Sequence, residues 1–391
     1  MARRALVITE VSLALVLLVG AGLLLRSLQR LFAVDAGFNA AHLLTMQVQT
    51  SGQRFDDDTT RQFFTQSVEA VKNVPGVAAA AFTSQLPLSG DLDEYGVHFD
   101  PGPDGRQEGG YSTFRYAVTP GYLETMGIPL HRGRLLNEHD VAGAPLVVLI
   151  SESLAMRKFH EQDPIGHRVH VGRQDLPWYT IVGVVGDVKQ LSLAVTQSDA
   201  VYVPSAQWYF ADDVMSLVVR TRGEAAALAP AIRDAIWSVD KNQPIVRLAT
   251  MENLVAATAA ERRFVLTLFE AFGLVALILA ATGIYGVLSG SVSERIREIG
   301  VRAALGASRS NILALVLRQG MVLTALGVAI GLAGAVVASQ VLVSLLFGIS
   351  WLDPVTYLGV IVLLAGVSMI ACWVPAWRAS RVDPSITLRA E

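Results

Sequence analysis

The 391-residue sequence contains a single cysteine, Cys372, and few charged residues. One thiol excludes a disulfide within the chain and a zinc site built from several thiolates. Charged residues make up 17% of the sequence, whereas soluble domains carry about 25%. Basic residues are nowhere dense enough to neutralise a phosphate backbone, so no nucleic-acid partner is expected.

The sequence also lacks the short motifs of common catalytic and nucleotide sites. It has no G-x-x-x-x-G-K-[ST] phosphate loop, no G-x-S-x-G elbow and no H-E-x-x-H pair, so we expect neither an enzyme nor a bound cofactor. His160, His167 and His170 are close in sequence, but an alternating strand would place the last two on opposite faces. Surface positions are therefore favoured over a metal site. The acidic run 56–58 is interpreted as the flank of a helix rather than a calcium site.

Long apolar runs are the main feature that is present. They cover residues 5–25, 264–289, 321–346 and 355–374, and each is long enough to cross a hydrocarbon core of about 30 Å as a helix. The first run could be a signal peptide, but it exceeds the roughly 7–15 apolar residues of such a segment and R-S-L-Q-R follows it. We therefore predict an all-α membrane unit of four helices in a 1+3 order, with the large domain 31–261 inserted after helix 1–30.

Basic residues near the ends of these runs predict the orientation. Arginines flank the N-terminus, the connector after the second run and the tail after the fourth, whereas segment 347–354 has none. The excess of basic residues marks the cytoplasmic side. The termini and connector 291–311 are thus predicted to be cytoplasmic, and domain 31–261 to lie outside the cytoplasm. The remaining arginines, at the outer ends of the first two runs, would snorkel to headgroups: Arg26, Arg30, Arg262 and Arg263.

The inserted domain is predicted to be α+β. Alternating apolar residues predict strands at 43–49, 77–82, 146–150, 178–185 and 215–220, and helical spacing predicts helices at 58–73, 151–159 and 224–239. A middle segment of short strands, 111–207, predicts a second subdomain inserted into the first. Arg220 and Arg222, at the end of a strand, are expected to be exposed.

Within the connector 291–311, the segment 293–306 has the strongest local pattern in the membrane part. It is the segment called the connector below. As a helix it would carry one apolar stripe, with Glu294–Arg297 and Glu298–Arg302 paired on the remaining surface. Gly306 would end this helix and Ser308 would cap the next. Spacing alone leaves two alternatives open. The connector is either a solvated loop or an amphipathic helix that docks into a groove of a partner.

These residues resemble a known family. The segment ERIREIGVRAALGAS at 294–308 is similar to the signature of MacB/FtsX-type ABC transporter permeases, and PAWRASRVDP at 375–384 is similar to their closing segment. GFNAAHLLTMQV at 37–48, VTPGYLETMGIPLHRGR at 118–134, DPIGHRV at 163–169 and IVGVVGDVK at 181–189 resemble the MacB periplasmic core domain. The chain resembles one four-helix unit, particularly the second, of the duplicated orphan permeases.

The resemblance implies a permease of the bacterial inner membrane that works with separate cytosolic ATPase subunits. ATP would be bound by that partner, because this sequence, unlike MacB, shows no ATPase segment. The connector would be the coupling helix that contacts the ATPase, and mechanotransmission through the first two membrane helices would drive export. The resemblance implies that the following residues form the ATPase contact: Glu294, Arg295, Arg297, Glu298, Gly300, Arg302, Leu305 and Gly306.

Further partners also follow from the resemblance. They are a second permease unit in a dimer, membrane lipids, and a periplasmic adaptor or outer-membrane channel. An alternative function is that of an FtsX-like regulator or scaffold, which controls an extracytoplasmic partner without transporting anything. The large inserted domain favours the MacB type over the FtsX type, whose insert is smaller.

Two acids and two glycine pairs lie within the apolar runs. Glu10 and Glu270 are each expected to face a partner helix or headgroup water, with a proton relay as the alternative. The pairs Gly286/Gly290 and Gly327/Gly331 have the G-x-x-x-G spacing that permits close helix contact. That contact would form either within the unit or across a dimer. Gly20 and Gly22 are small residues of the kind that membrane helix contacts favour.

Overall fold

A computed structural model describes residues 2–100, 110–160, 162–173, 175–195, 198–294 and 308–379. The chain divides into two compact units. One, the membrane unit, comprises residues 1–33 and 260–391, and the other, the inserted unit, comprises residues 34–259.

The first helix and the last three belong to the membrane unit, and the five helices between them belong to the inserted unit. In the described ranges they are α1 Ala2–Phe32, α2 Asp57–Lys72, α3 Tyr122–Met126, α4 Glu152–Phe159, α5 Ala229–Val239, α6 Met251–Ala257, α7 Ala260–Glu294, α8 Arg309–Val341 and α9 Pro354–Ala379. Short 3₁₀ turns cover Ala226–Leu228 and Val343–Leu345.

Four of these helices are long and apolar enough to cross a membrane: α1, α7, α8 and α9. The four predicted membrane helices are therefore confirmed as helices. They extend beyond the apolar runs, most clearly at α8, which begins at Arg309 although its run begins at 321. Ser308 caps this helix as predicted, because its side chain accepts a hydrogen bond from the backbone N–H of Asn311.

Helix α1 forms the centre of the membrane unit. Val7, Val11 and Leu15 have no exposed surface, and they belong to one apolar cluster that includes residues of α7, α8 and α9. In α7, by contrast, large apolar side chains such as Phe264 and Phe272 are more than half exposed. Since no side chain of the described residues covers them fully, these surfaces fit a lipid environment.

The strands all belong to the inserted unit. They are β1 Leu43–Gln49, β2 Val77–Thr83, β3 Glu94–Phe99, β4 Tyr111–Val118, β5 Leu130–Gly133, β6 Val147–Ser151, β7 Arg168–Val171, β8 Tyr179–Val185, β9 Ala200–Pro204, β10 Val214–Thr221 and β11 Ile245–Thr250. They pair in the order β11-β1-β10-β2-β4-β3-β7-β8-β6-β9, with β5 on β8. The predicted α+β class is confirmed.

The sheet closes on itself over part of its length. Strand β4 pairs with β3 on one side, and β9 at the end of the strand order pairs with β4 in parallel, from Phe114 opposite Ala200 to Val118 opposite Pro204. Strands β4, β3, β7, β8, β6 and β9 therefore form a closed ring. Closure removes free edges in this half of the sheet.

Two separate apolar clusters fill the inserted unit. One packs α2 and α5 against β1, β2 and β10 and includes Phe63 and Leu217. The other lies within the ring and against α4, and includes Phe159 and Trp208. The elements of the first cluster come from both ends of the unit's sequence, and those of the second come from its middle. The division into two subdomains stays a prediction.

Local sequence signals account for most element ends. Asp56 caps α2 in a capping box with Thr59, so the interpretation of the acidic run as a helix flank is confirmed. The prediction of one helix over 224–239 is wrong in its first part. A 3₁₀ turn precedes α5, which begins at Ala229 with Pro230 in its first turn, where a proline is tolerated.

Candidate functional site

Of the predicted coupling helix 293–306, residues 293 and 294 lie among the described residues. Glu294 is the last residue of α7, so the second membrane helix continues five residues beyond the apolar run that ends at 289. The other predicted contact residues lie outside the described residues: Arg295, Arg297, Glu298, Gly300, Arg302, Leu305 and Gly306. The connector is therefore bounded by the end of α7 and the capped start of α8.

Helices α1 and α7 pack against each other in antiparallel directions. A Cβ added at Gly290 of α7 would lie 3.8 Å from Nη1 of Arg3, and one added at Gly273 would lie 3.1 Å from Cδ2 of Leu18. Glu10 of α1 lies against Gly283 between these two levels. We call this continuous contact the α1–α7 seam.

The α1–α7 seam continues to the other end of both helices. In the contacts above, the glycines belong to α7 and the side chains to α1. At Gly20 the glycine belongs to α1, and the ring of Phe269 of α7 fills the space above it. At the end of α1, the guanidinium of Arg263 lies 4.8 Å from the ring centroid of Phe32, which is within the range of a cation–π contact. The seam thus runs nearly the full length of α1.

Helix α8 packs on another side of α1, in a parallel direction. A Cβ at Gly327 would contact Val11, and a Cβ at Gly331 would lie 3.0 Å from Cα of Ser12. The hydroxyl of Ser12 donates a hydrogen bond to the carbonyl of Gly327, at 2.9 Å. This G-x-x-x-G pair therefore forms a close contact within the unit. Gly286, in contrast, has open space around it, so the pair Gly286/Gly290 makes no comparable contact with the described residues.

An ion pair joins α1 to the start of α9. Arg26 pairs with Asp353, and Asp353 also accepts hydrogen bonds from the backbone N–H and the hydroxyl of Thr356, at 2.9 and 2.6 Å. Burial opposes ionisation of Asp353, but these hydrogen bonds and Arg26 outweigh it and hold the pKa of the carboxyl below its ordinary value. Arg26 was predicted to snorkel to headgroups, whereas the structure gives it a partner within the chain.

The two acids of the apolar runs have different surroundings. Glu10 lies within the membrane unit, and its Oε2 is buried without a hydrogen-bond partner among the described residues. Glu270 is exposed on the surface of α7. Each acid was expected to face a partner helix or headgroup water. Glu10 faces a helix, α7, at Gly283. For Glu270 the expectation stays a prediction.

A buried arginine forms the polar centre of the inserted unit. Arg115 of β4 is 2% exposed, and its guanidinium donates hydrogen bonds to Asp93, at 2.7 Å, and to both carboxylate oxygens of Asp212, at 2.6 and 3.2 Å. It also lies 4.7 Å from the ring centroid of Trp208. Burial raises the pKa of Asp212. Burial also disfavours the charge of Arg115, but the two carboxylates outweigh it and raise its pKa.

Arg220 corrects an expectation from the sequence. It is half-buried, and its guanidinium donates hydrogen bonds to the backbone carbonyls of Thr125, Ala41 and Asn39, at 2.8 to 2.9 Å. Arg220 therefore joins β10 to two neighbouring segments instead of pointing to solvent. Arg222 is exposed, as expected.

Two of the three histidines, His160 and His167, are exposed as expected, and His170 is not. His170 of β7 is buried, its Nε2 lies 2.8 Å from the carbonyl oxygen of Leu176, and its ring contacts Trp178. The ring of His167 contacts Phe159 instead. The two side chains thus have separate environments, and the described residues contain no group of three or more side chains that could hold a metal ion.

Two polar contacts were not predicted from the sequence: the hydrogen bonds of Arg115 with its carboxylates and the ion pair of Arg26 with Asp353. The signal for Arg115 is an arginine within the aromatic-rich strand Tyr111–Val118. The signal for Asp353 is an acid directly before a proline, Pro354. Thr356 follows three residues after the acid, and this pattern is typical of a helix start.

Comparison with known proteins agrees with the four helices and the inserted α+β unit. The profile of the MacB-like periplasmic core domain matches residues 5–236, and that of the FtsX-like permease C-terminal region matches residues 270–384. The chain therefore belongs to the family of MacB/FtsX-type ABC transporter permeases.

Individual relatives are more distant. The uncharacterized ABC transporter permease YknZ of Bacillus subtilis (strain 168) is 28% identical over 283 residues, which cover 70% of this chain and 69% of YknZ. The macrolide export ATP-binding/permease protein MacB of Azoarcus sp. (strain BH72) is 25% identical over 368 residues, which cover 90% of this chain and 51% of that protein. The chain spans about half the length of the MacB relatives it matches.

One solved structure is also similar. The periplasmic region of MacB from Actinobacillus actinomycetemcomitans aligns with 59% of this chain and 99% of its own length, at 15% identity and a TM-score of 0.39. A score at this level supports no conclusion about the fold.

Proposed function

We propose that the chain is the permease subunit of an ABC transporter or mechanotransmission complex in the bacterial inner membrane. In this proposal the chain has no catalytic activity and binds no cofactor. A separate cytosolic ATPase binds ATP, and a second permease unit completes a dimer. Connector 293–306 contacts the ATPase, and the inserted unit lies on the periplasmic side, where it acts on an adaptor, an outer-membrane channel or another extracytoplasmic partner.

The observation that carries this proposal is the α1–α7 seam. The inserted unit follows α1 and precedes α7, so these two helices are its covalent connections to the membrane unit. They pack against each other from Arg3 and Gly290 at one end to Phe32 and Arg263 at the other. Because α7 runs directly into the connector, a force on the connector would act on both connections together.

Electrostatics favour the connector as the docking segment. It carries Arg297 and Glu298 beside apolar residues, and truncating one partner of a buried, hydrogen-bonded charge pair costs about 2–5 kcal/mol of binding. A double reversal, Arg297→Glu with Glu298→Arg, should therefore strongly reduce the amount of ATPase that copurifies with the chain from its native membrane. Stimulation of ATP hydrolysis should fall in parallel, since coupling between two sites is reciprocal.

A matched control uses two exposed charges of the inserted unit. Arg222 and Glu224 are exposed, so the reversal Arg222→Glu with Glu224→Arg changes the same charges away from the connector. This control should retain wild-type ATPase association. If the Arg297/Glu298 reversal also retains it, the connector is a solvated loop and the coupling proposal is wrong.

Orientation can be tested with introduced cysteines. The native Cys372 is buried and should remain unreactive toward a membrane-impermeant thiol reagent. Cysteines at the exposed positions Glu224 and Ser350 should react from the periplasmic side, and a cysteine at Asn311, beside the connector, should not. Reaction at Asn311 alone would invert the proposed topology.

Nucleotide binding separates this chain from its proposed partner. Because the sequence has no phosphate loop, the purified chain should neither bind nor hydrolyse ATP in equilibrium titrations. Stoichiometric binding by the chain alone would contradict the assignment of ATP to a separate subunit.

A further inference from the structure

Glu10 has an unusual position for a membrane carboxyl group. It lies seven residues into the candidate span Arg3–Phe32, which corresponds to a depth of about 10 Å along a helix. Its Oε2 is buried and has no hydrogen-bond partner among the described residues. An ionised carboxylate in such a place is costly unless a positive charge or hydrogen-bond donors compensate for it.

The surface of α7 that faces Glu10 leaves room for its carboxyl group at Gly283, and this glycine carries no charge. A Cβ at Gly283 would overlap Oε2 of Glu10, so the glycine is what allows the carboxyl group to approach the backbone of α7. The same added atom would also lie 3.3 Å from Cγ2 of Val7. The carboxyl group therefore lies between an apolar side chain and a bare helix backbone.

Several polar groups of α1 and α7 have partners other than Glu10. On α1, the hydroxyl of Thr9 donates to the carbonyl of Ala5, and that of Ser12 donates to the carbonyls of Ile8 and Gly327. On α7, the hydroxyl of Tyr285 accepts a hydrogen bond from Arg378 of α9, at 3.1 Å.

Basic groups on the packed helices do not reach Glu10 either. Those toward this end of the helices include Arg3 and Arg4 of α1, Arg318 of α8 and Arg378 of α9, and none of these four forms an ion pair with this carboxyl group. The acid on the same side of the unit, Glu294 at the end of α7, could only disfavour a negative charge on Glu10.

We propose that Glu10 is a proton-binding site within the α1–α7 seam. The ligand is a single proton, which keeps the carboxyl group neutral while α1 and α7 are packed together. A neutral carboxyl group removes the cost of a buried charge and can donate a hydrogen bond to a backbone carbonyl of α7. This inference concerns the chain alone and does not depend on an ATPase partner, so its failure and that of the proposed function are distinguishable.

Infrared difference spectroscopy tests the protonation state directly. The measurement compares the full-length chain with its Glu10→Gln variant, both in lipid nanodiscs at neutral pH. Because glutamine has nearly the same shape as a protonated glutamate, the difference spectrum should show loss of a protonated carboxyl band, above the amide I band. Loss of a carboxylate band would overturn the proposal, since the group must be in one form or the other.

Glu270 provides the matched control. It is the other acid within an apolar run, and it is exposed on α7. The Glu270→Gln variant should therefore keep the protonated carboxyl band of Glu10. If Glu270→Gln removes the protonated band instead, the proton belongs to Glu270 and the assignment to Glu10 is wrong.

The dependence of thermal stability on pH is an independent readout. A carboxyl group that holds its proton only in the packed seam stabilises the protein fully below its ordinary pKa of about 4.3 and loses that contribution as the pH rises. The melting temperature of the wild-type chain should therefore fall relative to that of Glu10→Gln as the pH increases above this value. Parallel melting curves over this range would overturn the proposal.

Discussion

Arg115 and Glu10 both place charge-bearing atoms out of contact with solvent, but the two units treat them differently. Arg115 in the inserted unit has two carboxylate partners and an aromatic ring beside its guanidinium. Glu10 in the membrane unit has no hydrogen-bond partner for its buried oxygen among the described residues. The inserted unit compensates a buried charge with other side chains, whereas the membrane unit places its acid against a glycine of α7.

The contrast extends to the way each unit is held together. In the inserted unit, arginines connect elements that are distant in sequence, as Arg220 does through three backbone carbonyls. In the membrane unit, glycines on α7 and α8 let α1 approach closely, and one ion pair joins α1 to α9. Apolar burial does not drive helices together in lipid, so close packing and a few polar contacts have to provide the stability.

Removal of the Arg115 guanidinium should give the largest effect. The variant Arg115→Met would leave Asp93 and Asp212 close together without their shared cation, which typically costs about 3–5 kcal/mol of unfolding free energy. Denaturant unfolding of the full chain in detergent, followed by tryptophan fluorescence, would measure the loss, because Trp208 packs against Arg115.

An exposed ion pair gives the control for Arg115. Arg173 pairs with Asp175 at 2.7 Å, and both side chains are more than 60% exposed. Solvent screens such a pair, so Arg173→Met should leave the unfolding transition unchanged. Equal losses for the two variants would show that the network around Arg115 contributes no more than a surface ion pair.

A side chain at Gly331 should give the next largest effect. A Cβ there would lie 3.0 Å from both Cα and the carbonyl oxygen of Ser12, so Gly331→Val would force α1 and α8 apart. Overpacking of this kind costs about 1–3 kcal/mol. The matched control is Gly366→Val in α9, where nothing lies within 4 Å of an added Cβ. Thermal melting in detergent should distinguish the two variants, and equal melting temperatures would contradict a tight α1–α8 contact.

The features that local sequence controls were predictable. The four membrane helices follow from run length, and the caps at Asp56 and Ser308 follow from residue type at a helix start. Five of the eleven strands in the described residues follow from alternation, as at β1, whose predicted and observed bounds agree.

Features that depend on non-local contacts were not predictable. The parallel pairing of β4 with β9 joins segments more than 80 residues apart, and no local pattern specifies it. The side of α1 on which Glu10 meets α7 depends on Gly283, which lies far away in sequence. The partner of Arg26 was missed for the same reason, since Asp353 lies 327 positions further along the chain.

The ion pair between Arg26 and Asp353 should give the smallest of the three effects. The side chains are 33% and 12% exposed, so solvent partly screens the pair, and a double-mutant cycle with Arg26→Gln and Asp353→Asn should give a coupling energy of about 1 kcal/mol. Asp353→Asn alone should cost more than Arg26→Gln, because the carboxylate also accepts two hydrogen bonds from Thr356.

The pH dependence of this cycle determines whether the pair acts through charge. The pKa of Asp353 is lowered in the folded protein, so its contribution to stability is complete above the ordinary value of about 3.9 and is lost as the pH falls through the lowered pKa. The coupling energy should therefore disappear in acid and remain constant near neutral pH. A coupling energy that persists after Asp353 is protonated would mean that shape and hydrogen bonding hold α1 to α9. The contact between α1 and α9 would then not rely on charge, and the contrast with the inserted unit would become sharper.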